Sequence, residues 1–222
     1  MQPDFYIGTL RLAEPVIALT GLFIAFVCGY AWVRLRRREE RCAAFRWMIW
    51  FFGLMAISSV IGPFFGHMFY YQVGFPGKFS CWLFSILSLA ALAQASIEHA
   101  RPFLPAKATM ALTVSNVSFL VLGLALSGWN RSFHWVEAHS AIAMLGFMMP
   151  LEGLVYARRR DPGSLLLLLS LPLAVLAIVP VLIKWSPGTW FSYFDVGHVI
   201  LYGCFWLMML GAERRQANMA GR

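Results

Sequence analysis

Seven long apolar runs, separated by short polar stretches, dominate the hydropathy pattern of the chain. Each run is about 19 to 25 residues long, the length that an α-helix needs to cross a hydrocarbon core of roughly 30 Å. Helices are expected because backbone polar groups in lipid must be satisfied within their own segment. The predicted spans are Pro15–Val33, Trp47–Tyr71, Phe79–Ile97, Ala108–Ser127, Ala138–Tyr156, Ser164–Ile183 and Phe191–Leu210.

This pattern predicts an all-α, polytopic membrane protein in which residues 1–222 form a single seven-helix domain. Apolar residues make up 60% of the chain and charged residues 13%, which excludes an ordinary soluble globular protein. The connections between the runs are short, so consecutive helices are expected to pack as antiparallel neighbours. The expected location is a membrane that the chain crosses several times, the cytoplasmic (inner) membrane if the source is bacterial.

The basic residues are distributed unevenly between the two predicted sides of the membrane. Fourteen of the 18 lysines and arginines follow spans one, three and five or lie in the C-terminal tail. This asymmetry predicts an outer N-terminus and a cytoplasmic C-terminus. It also explains the net charge of +8 without nucleic acid as a partner. Membrane lipids are the expected partners, and a membrane-protein partner or a homo-oligomer is a further possibility.

Three ionisable side chains, His67, Asp195 and His198, fall inside apolar spans at one predicted depth, near the outer end. Such groups are energetically unfavourable in hydrocarbon and often mark functional sites. Asp195, His198 and Tyr202 follow an i, i+3, i+7 spacing, which places them on one helical face. His139 lies near the start of span five, at the same predicted outer level of the membrane. A simpler reading is open for each: His67 as interhelical hydrogen-bonding glue, and Asp195 paired with His198 alone.

Two residues near His67 support a polar environment there. Glu14 directly precedes Pro15 at the start of span one, on the same side of the membrane. Pro63 lacks an N–H, which frees the carbonyl of Ser59 one turn earlier and predicts a kink just before His67. Imidazoles and carboxylates are the ligands that suit a catalytic zinc, which takes three protein ligands and leaves one position open. A zinc site, a proton relay or helix packing are all compatible with this set.

Three short stretches resemble the CREST superfamily, which includes alkaline ceramidases and adiponectin/progestin-type receptors. They are Glu14-Pro-Val-Ile-Ala-Leu-Thr20, Ser58-Ser-Val-Ile-Gly-Pro-Phe-Phe-Gly-His67 and Asp195-Val-Gly-His198. The resemblance implies a zinc ion held by three histidines, one from span two and two from span seven, and hydrolysis of a lipid amide or ester. Phe194 stands where the family has the other span-seven histidine, and Pro63 where it has a serine. The third ligand would then be Asp195 or His139.

The leading hypothesis is therefore a membrane-embedded, zinc-dependent hydrolase of a lipid amide or ester. His67 and His198 would be metal ligands, and Asp195 would be a third ligand or the base. Tyr202 would be a further catalytic group, while Glu14 and Ser59 would support the site from outside the ligand set. One alternative is a non-catalytic subunit that packs with and stabilises a larger membrane complex. A further alternative is haem b held between two of His67, His139 and His198, since helix bundles can place axial histidines on facing helices.

Overall fold

The computed structural model describes residues 2–38 and 42–220. Arg41 and Arg222, which contribute to the predicted charge asymmetry, lie outside the described residues. The helices, in chain order, are α1 (Pro15–Arg36), α2 (Ala43–Ile61), α3 (Tyr70–Ala100), α4 (Ala106–Asn130), α5 (His134–Ala141), α6 (Met149–Arg159), α7 (Pro162–Ile183) and α8 (Tyr193–Ala220). A π-helical segment at Gly62–Met68 continues α2, and a second one at Ile142–Met148 joins α5 to α6. A 3₁₀ turn at Arg101–Phe103 follows α3.

Seven helical segments are long and apolar enough to cross a membrane. The segments are Pro15–Arg36, Ala43–Met68, Tyr70–Phe103, Ala106–Asn130, His134–Arg159, Pro162–Ile183 and Tyr193–Arg215, with mean hydropathies of 1.4 to 2.9. They coincide with the seven predicted spans, and each observed helix extends beyond its predicted span at one end or both. Two ends are shorter than predicted: the second span ends three residues earlier, and the seventh begins two residues later. The prediction of seven membrane-length helices is confirmed.

The spans pack so that the first lies between the second and the seventh. α1 contacts α2 and α8, α3 contacts α2 and α4 and the helices of the fifth span, and α7 lies between α6 and α8. The end of the bundle that contains Glu14, His67 and Asp195 is called the histidine end below. The opposite end, where Arg36, Arg101 and Arg159 close their helices, is called the arginine end.

The core lies between the second, third and seventh spans. Its largest fully buried side chains include Phe51, Phe52, Leu92 and Met208. α3 is the most buried of the spanning helices and presents a run of alanines to its neighbours. Without water to drive helix association inside a membrane, such small residues favour packing because they allow backbones to approach closely.

The distortion predicted at Pro63 takes the form of a π-helical segment, Gly62–Met68. A proline within a helix cannot donate the usual backbone hydrogen bond, and π-helical turns are one way of accommodating the irregularity. α1 packs directly on this segment: a Cβ at Gly21 would lie 2.7 Å from the Pro63 Cγ. Glycine at position 21 therefore allows the first and second spans to meet beside the site.

Two parts of the chain differ from the expectations. α3 begins at Tyr70 rather than near Phe79, but its backbone is interrupted at Gly74, whose φ of 61° and ψ of −154° favour glycine. The architecture is α-helical as predicted, with one small addition: strands β1 (Phe5–Ile7) and β2 (Leu10–Leu12) form an antiparallel hairpin before α1. The hairpin turns at Gly8, which has a φ of 60°. Its apolar residues precede the first span and are too few for a membrane-length signal.

Candidate functional site at the histidine end

Glu14 and His67 form the first part of the site. The His67 Nδ1 lies 2.8 Å from the Glu14 Oε2, and both side chains remain about a quarter exposed. This hydrogen bond lowers the pKa of the Glu14 carboxyl below its ordinary value. The structure thus joins the acid that precedes span one to the histidine near the end of span two.

Glu14 also has an unusual backbone. Its φ of 46° and ψ of 51° are left-handed, a conformation that is unfavourable for residues other than glycine. In the described chain, the other non-glycine residues with positive φ are Arg131, Arg160 and Lys184, and each caps the C-terminus of a helix, where this conformation is common. Glu14 instead precedes the first turn of α1. Its strained backbone turns the carboxylate toward His67.

Asp195 is the centre of the second part of the site. Its side chain is fully buried, and four donors surround it. Thr20 Oγ1 lies 2.9 Å from Oδ1, while Gln2 Nε2, Ser192 N and Ser192 Oγ each lie 2.6 Å from Oδ2. Ser192 directly precedes α8 and Asp195 is its third residue, so the carboxylate caps the helix in the manner of a capping box. An ionised carboxylate only accepts hydrogen bonds, which matches four donors.

Thr20 links Asp195 to His198. Its Oγ1 is 2.9 Å from the His198 Nδ1 as well as 2.9 Å from the carboxylate. A hydroxyl has one proton, and we assign that of Thr20 to Asp195, which cannot itself donate and lies nearer than the Ile17 carbonyl, at 2.9 against 3.1 Å. With this assignment Thr20 accepts from the His198 Nδ1–H. The lone pair of His198 then resides on Nε2. Asp195 acts on this imidazole through Thr20 rather than by pairing with it directly.

Gln2 closes the network from the N-terminal side. Its Oε1 accepts from the backbone N–H groups of Val16 and Ile17 at 3.1 and 3.2 Å, in the first turn of α1. Its Nε2 donates to the Trp190 carbonyl at 2.8 Å and to Asp195. One amide therefore satisfies the free N–H groups at the start of α1 and ties them to the start of α8.

Tyr202 lies on the same face of α8 as Asp195 and His198, as the i, i+3, i+7 spacing indicates. Its hydroxyl donates to the Thr20 carbonyl at 2.9 Å, and its ring contacts Phe23 with 6.1 Å between ring centroids. Tyr202 thus fastens α8 to α1 one turn beyond His198. The structure gives its hydroxyl a backbone partner on α1.

His139 and Ser59 occupy other places. His139 is buried in α5 beside Gly123, and its Nδ1 has no hydrogen-bond partner among the described residues. α5 packs mainly against α3 and α4. Ser59 shares no hydrogen bond with the site in the part of the chain that the structure describes, and its neighbour Ser58 donates to the Cys81 carbonyl at 2.9 Å.

Sequence reasoning did not name Thr20 or Gln2 as site residues. Thr20 lies in the stretch that resembles the CREST superfamily, but a single hydroxyl within a span is weak as a signal because it can bond to its own helix. Thr20 in fact also lies 3.1 Å from the Ile17 carbonyl. Gln2 precedes every span and belongs to no periodic pattern, so no feature of the sequence singles it out.

A second buried polar cluster lies at the arginine end. The Glu152 Oε2 accepts from Ser164 Oγ at 2.8 Å and lies 3.1 Å from the His99 Nδ1, and its Oε1 forms an ion pair with Arg215. Glu152 is fully buried and Arg215 is 2% exposed. Buried charges in membrane proteins normally pair in this way. The cluster joins the third, fifth, sixth and seventh spans.

A family model matches residues 16–217, nearly the whole chain. The chain belongs to the DUF6962 family. This family is described as one of unknown function. No curated protein and no solved structure matches the chain. The part that matches the DUF6962 model includes His67, Asp195 and His198 and begins just after Glu14.

The donor set of this DUF6962 chain can be compared with the needs of zinc. No group of three or more His, Cys, Asp or Glu side chains among the described residues is close enough to hold a metal ion. Two imidazoles, however, have the orientation typical of metal ligands: one ring nitrogen of each is fixed by an oxygen, and Nε2 remains for a metal. Asp195 fits a ligand role poorly, because both its oxygens already accept hydrogen bonds.

Proposed function

We propose that this DUF6962 chain is a membrane-embedded, zinc-dependent hydrolase of a lipid amide or ester, similar in chemistry to the alkaline ceramidases. One observation carries the proposal: span one fixes Nδ1 of both His67 and His198, through Glu14 and Thr20, and leaves both Nε2 atoms available. Oxygen partners that orient imidazoles in this way are typical of metal centres. When bound, zinc supplies Lewis-acid chemistry that activates water at neutral pH.

The roles of the residues follow from their hydrogen bonds. His67 and His198 would be two ligands of the metal through Nε2, and the described residues bring no third His, Cys, Asp or Glu close enough to complete the set. Glu14 positions His67, and Asp195 positions His198 through Thr20. Asp195 is assigned this positioning role rather than that of a ligand or base because four donors already occupy its carboxylate.

The distribution of basic residues supports an orientation for the proposal. Lysine and arginine concentrate at the arginine end, which the positive-inside rule assigns to the cytoplasm. The histidine end would then face the outside, with the site at the level of the outer leaflet. Water could reach the site from that side, and a lipid could reach it laterally from the leaflet. In a bacterium this membrane would be the cytoplasmic membrane.

Metal analysis of the detergent-purified protein tests the proposal. We expect about one zinc per chain, as for a mononuclear catalytic site. The His67→Ala and His198→Ala variants should lose the zinc. His134→Ala is the matched control, because that imidazole is 90% exposed and its one hydrogen-bond partner among the described residues is Glu137. Wild-type protein with no more zinc than the His67→Ala variant overturns the proposal, as does hydrolysis that persists after the metal is removed.

A second candidate function rests on the saturated state of Asp195. Four donors on one carboxylate, from the starts of α1 and α8 and the segments before them, also describe a purely structural clasp. This favours a non-catalytic subunit that assembles with other membrane proteins. Purification in native lipid separates the two functions: a stoichiometric protein partner together with no zinc supports the subunit. An absorption spectrum of the same sample tests haem b, which would show a Soret band.

A further inference from the structure

The N-terminal hairpin exposes a set of large apolar side chains. Phe5, Tyr6, Ile7 and Leu10 are 50%, 59%, 58% and 43% exposed. A hairpin of two strands is at best marginally stable in water on its own. With three residues in each strand, this hairpin has few contacts of its own to offset such exposure. Its apolar side chains would therefore be stabilised by contact with another apolar surface.

The hairpin is fixed in place at its base. The Ala13 N–H donates to the Met68 carbonyl at 3.2 Å, and the Tyr71 hydroxyl donates to the Arg11 carbonyl at 2.9 Å. The Arg11 guanidinium lies 5.2 Å from the Tyr71 ring centre and forms an ion pair with Asp4 at 2.9 Å. These contacts hold the hairpin beside the junction of the second and third spans. They engage its polar groups and leave its apolar side chains outside.

The surface next to the hairpin is itself apolar and faces outward from the bundle. Phe65, in the spanning segment just before Met68, is 42% exposed, and Tyr70 and Tyr71 are each 43% exposed. The Lys78 Nζ lies 5.3 Å from the Tyr70 ring centre. Tyrosines with neighbouring cations are typical of the level where hydrocarbon meets headgroups. The apolar surface of the hairpin is therefore continuous with that of the membrane-length helices.

We infer that the hairpin Phe5–Leu12 binds the lipid surface at the histidine end, with Phe5, Ile7 and Leu10 inserted at the boundary between headgroups and acyl chains. The partner is the bilayer itself. Amphipathic segments at this boundary place their apolar side chains about 5–10 Å into it. Gln2 lies three residues before β1 and bonds to Asp195, so lipid that holds the hairpin also holds Gln2 in the site.

A fluorescent label on the hairpin tests the inference. The label is attached to Ile7→Cys in a chain that also carries Cys42→Ser and Cys81→Ser, while the buried Cys28 and Cys204 are kept. The protein is reconstituted into phosphatidylcholine vesicles. A nitroxide near the headgroup end of the acyl chain should quench the label several-fold more than aqueous iodide does. A nitroxide near the terminal methyl group should quench it less, because the label lies at the boundary rather than at the bilayer centre.

The control label is placed on His134→Cys, at the same end of the bundle and 90% exposed in its native side chain. Iodide should quench this label more than either nitroxide does. The inference is overturned if the Ile7 label matches the His134 label, because the hairpin then lies in water. It is equally overturned if the Ile7 label is shielded from both quenchers, or if pyrene at this position gives excimer emission, since a protein partner or a second copy would then cover the hairpin. Unchanged thermal unfolding in detergent shows that each labelled variant is folded.

Discussion

Replacing Thr20 with valine removes one hydroxyl from the centre of the site and leaves its shape almost unchanged. The substitution deletes the hydrogen bond to the Asp195 Oδ1 and the one to the His198 Nδ1, each 2.9 Å long. Thr20 is 7% exposed and Asp195 fully buried, so water cannot replace the hydroxyl without local opening. Both α1 and α8 therefore lose part of their connection.

The size of the effect follows from the partners. A hydrogen bond to a charged group contributes about 1.5–3 kcal/mol in soluble proteins. Polar contacts between membrane helices average about 0.6 kcal/mol and reach about 1.7 kcal/mol. Oδ1 loses its only described donor, whereas Oδ2 keeps Gln2 and Ser192. Two bonds, one to a carboxylate, give about 2 kcal/mol in total, or roughly a 30-fold change in the unfolding equilibrium.

Unfolding of Thr20→Val in mixed micelles of mild detergent and dodecyl sulfate measures this loss. Thr109→Val is the matched control, since Thr109 is similarly buried at 6% and, in the part of the chain that the structure describes, its hydroxyl bonds just to the carbonyl of Pro105, the N-cap of the same helix, at 3.4 Å. The control should stay within about 0.5 kcal/mol of wild type, as for a bond of poor geometry. A Thr20→Val variant as stable as its control would show that the hydroxyl does not connect the helices, and the assigned tautomer of His198 would lose its support.

Three further substitutions have definite expected outcomes. Glu14→Gln should make the melting temperature in detergent depend less on pH at acid pH. The His67 hydrogen bond lowers the pKa of Glu14, so the pair stabilises the fold above the ordinary pKa of 4.5, and this contribution is lost as the pH falls through the lowered pKa. Glu152→Gln should lower the free energy of unfolding by about 3–5 kcal/mol, because Arg215 is left buried without a countercharge. Gly163→Ala should destabilise by about 1–3 kcal/mol, because a Cβ there would lie 2.5 Å from the Arg215 Cγ.

Each of these substitutions has a control of the same chemistry at a less demanding place. Glu137→Gln breaks an exposed pair with His134, for which a change of only about 0–1 kcal/mol in the free energy of unfolding is expected. Glu98→Gln breaks an ion pair with the exposed Arg101, for which about 0–1 kcal/mol is expected. A Cβ at Gly153 would meet no described atom from outside its own stretch of helix within 4 Å, so Gly153→Ala should stabilise the helix by about 0.5–1 kcal/mol. Equal effects of a substitution and its control would contradict the corresponding explanation.

Hydropathy alone predicts the seven membrane-length helices, because in lipid the length and the apolar character of a helix are strongly constrained. The helical face shared by Asp195, His198 and Tyr202 also follows from spacing. The placement of His67 and His198 at one depth does not by itself describe the site, because it leaves out their partners. Glu14 bonds to His67, and Thr20 of span one bonds to His198.

The contributions of Gln2 and of the hairpin could not be predicted for a physical reason. Both precede the first span, where neither period nor length constrains the chain, and their positions depend on contacts with residues far along the sequence. Gln2 and Asp195 are 193 positions apart. The left-handed backbone of Glu14 is similar, because a residue before a proline ordinarily prefers an extended conformation and no local preference predicts this one.

The distribution of the site over the first, second and seventh spans has a consequence for biogenesis. Thr20 leaves the ribosome early, but its partners Asp195 and His198 follow 175 and 178 positions later. The Glu14–His67 pair needs only the first two spans, whereas the Thr20 network can form only after α8 has been synthesised and has packed against α1. A nascent chain halted before α8 would hold the Glu14–His67 pair but would lack Asp195 and His198, the two partners that Thr20 has on α8, so the polar network is completed only after α8 has been synthesised.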